Sequence, residues 1–229
     1  LFWYLNIMRQ GVSFFIILYA IQYIRSRSFL KYLFWIVIAA GFHVSAFIFI
    51  PLDLLAYVRS PLMGRWIALV VYLFTWIYSK PLLSSSFHLF TPLLEGRYAK
   101  YANVLETWEM GGGTGLGVLI LHIIDLTLIY FSPKCVRFFR EERFDIYYNL
   151  FFIGALLANI AGLNMLLSRV PFCLISMRVM VAAFSLWYAY KFWKGCGFTY
   201  KLAMLLSLLC GIAHLFADII NTEYSFVSI

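Results

Sequence analysis

The segment that decides the fold is residues 146–167, which read IYYNLFFIGALLANIAGLNMLL. No Asp, Glu, Lys or Arg interrupts it, and its amide side chains are Asn149, Asn159 and Asn164. A helix of about 20 apolar residues is long enough to cross the hydrocarbon core of a bilayer. The segment therefore predicts a transmembrane helix.

The rest of the chain repeats this pattern. Hydrophobic residues make up 64% of the sequence, charged residues make up 12%, and the mean hydropathy is +0.88. A soluble domain carries about a quarter charged residues. We therefore predict an all-α, polytopic transmembrane helix bundle with about 6–8 membrane segments, forming a single domain over residues 1–229. The further apolar segments are 7–24, 29–51, 65–79, 116–131, 171–192 and 201–220, whereas 82–94 is a mixed stretch interrupted by Ser84, Ser85, Ser86 and His88.

The net charge of +8 comes from basic residues in short stretches between the apolar segments. A nucleic-acid-binding protein would gather them into one exposed stripe, whereas basic loops between spans are typical of the cytoplasmic side of a membrane protein. We therefore predict a membrane partner and no nucleic acid. The three strongest clusters, all predicted to be cytoplasmic, are Arg25, Arg27 and Lys31; Lys134, Arg137, Arg140 and Arg143; and Lys191, Lys194 and Lys201.

Segment counting conflicts with this orientation, because an odd number of apolar segments separates the first basic cluster from the second. We therefore predict that 65–94 forms a re-entrant hairpin with Lys80-Pro81 at its inner tip. Such an element is allowed where it is buried in protein or lines a wet cavity. Residues 95–115 then form an outer loop within the domain, and Arg9 and Arg169 lie at the outer ends of their helices.

No cofactor is predicted. The four cysteines form no CxxC pair and lie at no zinc-site spacing from a histidine, so we interpret them as inert helix residues and predict no metal site. The glycines at 111–113 follow a polar stretch rather than a strand and lack a following Gly-Lys-Ser/Thr. Close packing or a flexible entry to the next helix explains them better than a nucleotide site.

Four short motifs give the chain a resemblance to a known family. They are NIMRQ at 6–10, AGFHVSAF at 40–47, NLFFIG at 149–154 and LSRV at 167–170. In this order they resemble the EpsG family, membrane proteins of bacterial exopolysaccharide and capsule synthesis that are similar in role to Wzy polymerases. The resemblance extends to Asn221 and Tyr224. It departs at Pro171-Phe172, where the family has an aromatic pair, and at Glu223, where it has proline. We also expect the family's N-terminal helices to be absent.

The resemblance implies an enzyme that polymerises polyprenyl-diphosphate-linked oligosaccharide repeat units. Arg9 and Arg169 also suit that chemistry independently of the resemblance, because a fixed guanidinium at a helix end can pair bidentately with a phosphate. The alternative is that each side chain extends to the lipid headgroups from a helix end. Gln10 and Asn164 complete the substrate-binding residues predicted on or beside the helices.

The base that activates the acceptor hydroxyl is predicted at His43 or at Glu106. An imidazole inside a span is energetically costly unless it is paired or faces a wet cavity. His43 is therefore either that base or a side chain that forms an interhelical hydrogen bond and fixes packing. Arg97, Tyr98 and Trp108 of the outer loop are predicted to bind sugars. An interfacial aromatic belt would explain the same loop composition.

Two further pairs share a helix face, namely His122 with Asp125 and His214 with Asp218. Ionisable pairs within a membrane segment are used in proton relays. The alternative is that they only supply hydrogen-bond and charge partners for one another between helices.

Two other functional classes stay open. One is a transporter or flippase for an anionic lipid-linked substrate, and the other is a structural subunit of a membrane complex. The expected location is the bacterial inner (cytoplasmic) membrane as a multi-pass protein. The expected partners are the bilayer, the polyprenyl-diphosphate-linked glycan and other membrane proteins of polysaccharide synthesis.

Overall fold

The fold was obtained as a computed structural model. It describes residues 2–79, 81–82, 116–161, 169–192, 194–195, 197–202, 204–205, 208–209 and 212. The predicted outer loop at 95–115 lies outside these residues.

All regular elements in the described part of the chain are helices, so the all-α prediction is confirmed there. Two stretches, Phe144–Ala161 and Cys173–Lys191, are long and apolar enough to cross a bilayer, and several shorter apolar helices accompany them. The predicted number of spans stays a prediction. The helices are α1 (Phe2–Arg25), α2 (Phe29–Phe42), a 3₁₀ helix (Val44–Ala56), α3 (Arg65–Ile77), α4 (Leu116–Phe131), α5 (Pro133–Phe138), α6 (Phe144–Ala161), α7 (Arg169–Ile175) and α8 (Met177–Lys191).

Helix α3 presents its large apolar side chains outward. Trp66, Val70 and Phe74 are at least half exposed, whereas the small residues Ala68 and Thr75 are buried. A surface helix of a soluble protein has the opposite pattern, with its apolar stripe turned to the core. An outer surface of this kind suits lipid, and together with the apolar helices it supports membrane association.

The first three helical segments fold back on one another. Helices α1 and α2 are antiparallel, since the rings of Tyr19 and Trp35 lie 4.8 Å apart between centroids. At His43 the backbone becomes extended, with φ −150° and ψ 112°, and the chain reverses. The 3₁₀ helix then returns along α2, where the Tyr32 hydroxyl donates to the Phe49 carbonyl at 2.6 Å. Residues 44–56 therefore end beside the α1–α2 turn.

Arg143 joins the end of the 3₁₀ helix to the start of α6. Its Nη2 donates to the carbonyls of Leu55, Ala56 and Val58 at 3.1–3.2 Å, and its guanidinium pairs with Asp145. The side chain is only 4% exposed, and its backbone has a left-handed φ of 56°. The sequence placed Arg143 in the second basic cluster without indicating that its side chain is a buried connector.

These contacts gather the basic clusters at one end of the bundle. Arg27 Nε donates to the Ala56 carbonyl at 3.3 Å, which places the first cluster beside the carbonyls that Arg143 binds. Lys191 Nζ lies 5.2 Å from the ring centroid of Phe138 in α5, which adds the third cluster. We call this the basic end, and the opposite one, where α2 meets the 3₁₀ helix, the far end. The sequence predicted that the three clusters share one side, and their positions in the structure agree with this. Their orientation towards the cytoplasm stays a prediction.

Helix α3 runs from the basic end towards the far end. The Arg65 guanidinium at its start lies 5.0 Å from the ring centroid of Tyr130, near the end of α4 that leads into the second basic cluster. Just before α3, the Leu62 N–H donates to Asn149 in the early part of α6 at 3.0 Å. Pro81, which follows the C-terminal end of α3, therefore lies towards the far end.

The position of Pro81 opposite the basic clusters differs from the predicted hairpin at 65–94, whose inner tip at Lys80-Pro81 was placed on the same side as those clusters. The hairpin itself stays a prediction. Within the described residues, the reversal that restores an even number of segments lies at His43. The sequence concealed it because 29–51 is apolar apart from Lys31, His43 and Ser45, and a single run of this length is typical of one span. Residues 83–94 lie outside the described part.

Candidate functional site

A polar cluster lies between α3 and α4 inside the apolar bundle. The Tyr72 hydroxyl is 2.7 Å from His122 Nδ1 and 3.1 Å from Asp125 Oδ2. Tyr72 and Asp125 are buried, and His122 is half-buried. The three-residue spacing of His122 and Asp125 turns both side chains to the α3 face, so one tyrosine contacts both.

Arg178 of α8 completes the cluster by pairing with Asp125 through two hydrogen bonds. Nε donates to Oδ1 at 2.6 Å and Nη2 donates to Oδ2 at 2.8 Å. The Asp125 side chain is 3% exposed and that of Arg178 is 21% exposed. A lone charge in an apolar interior is strongly unfavourable, and the bidentate geometry lets each charge satisfy the other. The Arg178 side chain keeps part of its surface accessible.

Neighbouring groups hold α3 in register with this cluster. Asn159 of α6 donates to the Tyr72 carbonyl at 3.3 Å and to Thr75 Oγ1 at 3.1 Å. The ring of Trp76 stacks on His122 with centroids 4.1 Å apart. Four helices thus fix one imidazole, one phenol and one ion pair. Chemically, the arrangement can accept a proton at the imidazole, and it holds a carboxylate and a guanidinium in a fixed ion pair beside it.

The residues predicted on the first helices lie towards the far end. Arg9 is exposed on α1. Gln10 beside it is half-buried and already interacts with another group of the protein. Because α1 and α2 are antiparallel, their N-terminal and C-terminal parts meet there, which places Arg9 near the level of His43. His43 immediately precedes the 3₁₀ helix, and its carbonyl accepts from the Ala46 N–H at 3.0 Å.

Arg169 is the first residue of α7, of which the structure gives the backbone. Helix α7 packs against α6, where Leu174 lies against Gly154. The chain then continues through α8 towards Lys191 at the basic end, so Arg169 lies on the far-end side of Leu174. The remaining predicted residues lie outside the described part of the chain: Glu106, Arg97, Tyr98, Trp108, Asn164, His214 and Asp218.

Sequence reasoning missed three members of the polar cluster, Tyr72, Asn159 and Arg178. Arg178 carried a usable signal, because it is the only charged residue between 171 and 190, and an ionisable group inside an apolar segment is a functional candidate by default. Asn159 was visible as an amide in an uncharged segment. Tyr72 is one of 16 tyrosines, and nothing local distinguishes it.

The family model described as the EpsG family matches residues 1–226. No match was found among curated proteins or among solved structures.

Proposed function

The chain belongs to the EpsG family, which implies a role in exopolysaccharide synthesis, and from this premise we propose that it polymerises polyprenyl-diphosphate-linked oligosaccharide repeat units. In this reaction a hydroxyl of one repeat unit attacks the anomeric carbon of a growing glycan. The bond from that carbon to the diphosphate oxygen breaks, and the lipid diphosphate leaves with the electron pair. Because this leaving group is already activated, the reaction needs no nucleotide.

The observation that carries the proposal is the placement of Arg9 and Arg169 towards one end of an apolar bundle. A lipid diphosphate has its charge at the membrane surface and its tail in the hydrocarbon. Arg169 begins α7, whereas Arg9 lies about two turns inside α1 rather than at its end as predicted. From either position a guanidinium can bind the phosphate oxygens and stabilise the charge that develops on them as the glycosyl bond breaks. Gln10 and Asn164 would assist in binding the diphosphate or its first sugar.

The remaining roles follow from the chemistry of the acceptor. His43 is a candidate base for its hydroxyl because it lies near the level of Arg9, and Glu106 is the candidate in the 95–115 segment. Arg97, Tyr98 and Trp108 would bind the sugars. The basic end would face the cytoplasm of the bacterial inner membrane, so that transfer takes place on the outer side.

Chain growth in proteoliposomes tests the proposal. The purified protein would receive the polyprenyl-diphosphate-linked repeat unit extracted from the producing strain, and products would be resolved by length. We expect a ladder with the wild type, a loss of about 10²-fold or more in rate for Arg169→Ala, and wild-type behaviour for Arg140→Ala, an exposed arginine at the basic end.

Two outcomes would contradict a polymerase. Movement of unchanged repeat unit between leaflets, without ladder formation, would favour a flippase. A structural subunit would be favoured by a different pair of results. Neither the wild type nor Arg169→Ala would form a ladder in proteoliposomes, and each of them would restore polymer synthesis in a deletion strain.

A further inference from the structure

The Tyr72 hydroxyl has one proton and two neighbours that compete for it. Asp125 is paired with Arg178 as a carboxylate, and a carboxylate can only accept hydrogen bonds. His122 Nδ1 can either donate or accept, depending on the tautomer. The arrangement that satisfies all three groups sends the tyrosine proton to Asp125 and the Nδ1 proton of His122 to the tyrosine oxygen.

This arrangement fixes the tautomer of His122. With the proton on Nδ1, Nε2 carries an unshared electron pair and is the basic atom of the ring. None of the described residues forms a hydrogen bond with Nε2. The Trp76 ring stacks on the imidazole and limits its rotation. Within the part of the chain that the structure describes, Nε2 is therefore an oriented proton acceptor inside the bundle.

We propose that His122 Nε2 is the general base of the transfer reaction, an inference that rests on the proposed polymerase function. As the acceptor hydroxyl oxygen bonds to the anomeric carbon, its proton moves to Nε2. The bond from the anomeric carbon to the diphosphate breaks at the same step, and the imidazolium later releases its proton to water. Tyr72, Asp125 and Arg178 are positioning residues.

The charges around the ring favour this role. Once protonated, His122 faces the Tyr72 oxygen, behind which lies the Asp125 carboxylate. That carboxylate stabilises the imidazolium through the phenol, as the aspartate of a serine protease does directly. Arg178 stays bound to Asp125 on the opposite side and keeps the carboxylate in place. Tyr72, Asp125 and Arg178 thus orient the His122 ring. This makes His122 an alternative to His43 and Glu106 as the general base.

His122→Asn separates a catalytic role from a structural one. The asparagine amide can occupy the place of Nδ1 and donate to the Tyr72 oxygen, but it has no atom that corresponds to Nε2. In the proteoliposome assay with the extracted repeat unit, we expect kcat to fall about 10²–10⁴-fold with KM within about threefold of wild type. A packing role alone would leave kcat near wild type, because the hydrogen bond is retained.

The pH profile provides a second readout. Among the described residues, the titratable and charged groups that face His122 are Tyr72 from α3, Asp125 on its own helix and Arg178 from α8 through Asp125. Wild-type kcat should fall on acidification as one imidazole is protonated, and the residual rate of His122→Asn should lack this acidic limb. Tyr72→Phe, which removes the tautomer control, should lower kcat and leave the limb in place.

The outcomes separate this inference from the proposed function. If the wild type forms no ladder, the polymerase proposal fails. If the wild type forms a ladder and His122→Asn keeps its kcat and its acidic limb, His122 is not the base. The same conclusion follows if His43→Asn, rather than His122→Asn, loses both. Size-exclusion chromatography in detergent confirms folding, and should His122→Asn aggregate, an unchanged kcat in Tyr72→Phe overturns the inference.

Discussion

Arg178 and Asp125 come from different helices, and each depends on the other for a counter-charge. Removing one partner of a buried pair costs about 3–5 kcal/mol because the other charge is left uncompensated. We therefore expect Asp125→Asn and Arg178→Gln each to lower the unfolding midpoint in detergent. Because the double variant leaves no uncompensated charge, it should recover much of the loss.

An exposed carboxylate supplies the control for this cycle. Glu141 lies on the surface at the basic end, and Glu141→Gln should change stability by less than about 0.5 kcal/mol. Additive losses in the double variant, without recovery, would show that the ion pair contributes nothing to holding α4 and α8 together.

At the same scale, the sequence predicted part of the polar cluster. The three-residue spacing placed His122 and Asp125 on one face of a helix, and the structure confirms that both reach one partner. Which partner they reach depends on how α3 and α8 pack around α4, and the spacing within one helix carries no such information. Asn159 and Arg178 could be recognised as buried polar groups, but their contacts could not.

Gly154 marks the closest approach between two elements, α6 and α7. A Cβ added at this position would lie 2.6 Å from the carbonyl carbon of Leu174 and would also press on the Ile175 backbone nitrogen. Small residues allow membrane helices to pack backbone to backbone. We expect Gly154→Ala to destabilise the protein by about 1–3 kcal/mol through overpacking, measured as a lower unfolding midpoint in detergent.

The matched control is Gly41 in α2, where an added Cβ would meet nothing within 4 Å. Alanine has the higher helix propensity by about 1 kcal/mol, so Gly41→Ala should be neutral or stabilising. If both variants behaved alike, the close packing of α6 on α7 would be disproved. Because Arg169 begins α7, Gly154→Ala should also lower polymerase activity by displacing that arginine.

Element boundaries show where sequence patterns stop being informative. The uncharged segment at 146–167 correctly predicted a helix, which is described as Phe144–Ala161. The segment at 29–51 instead holds α2 and most of a 3₁₀ helix, separated by an extended residue at His43. Hydrophobicity alone does not report that break, because both sides of it are apolar. The reversal is stabilised by distant contacts such as Tyr32 to Phe49.

For the whole molecule, composition was sufficient to predict helices in an apolar environment, and charge was sufficient to predict that the basic clusters share one side. The path of the chain between the clusters required tertiary contacts. Arg143 binds the carbonyls that end the 3₁₀ helix, and this ties residues 55–58 to the basic end. The position of Pro81 opposite them follows from that connection.

Thiol labelling tests this path directly. In a background without the four native cysteines, Arg59→Cys, Glu142→Cys and Pro81→Cys place single thiols at exposed positions. A membrane-impermeant maleimide should label Pro81→Cys in spheroplasts, and should label Arg59→Cys and Glu142→Cys only in inverted vesicles. The expectation follows because α3 separates Pro81 from the basic end, which should face the cytoplasm. Labelling of Pro81→Cys together with Glu142→Cys, on the same side, would instead support a hairpin with its inner tip at Lys80-Pro81.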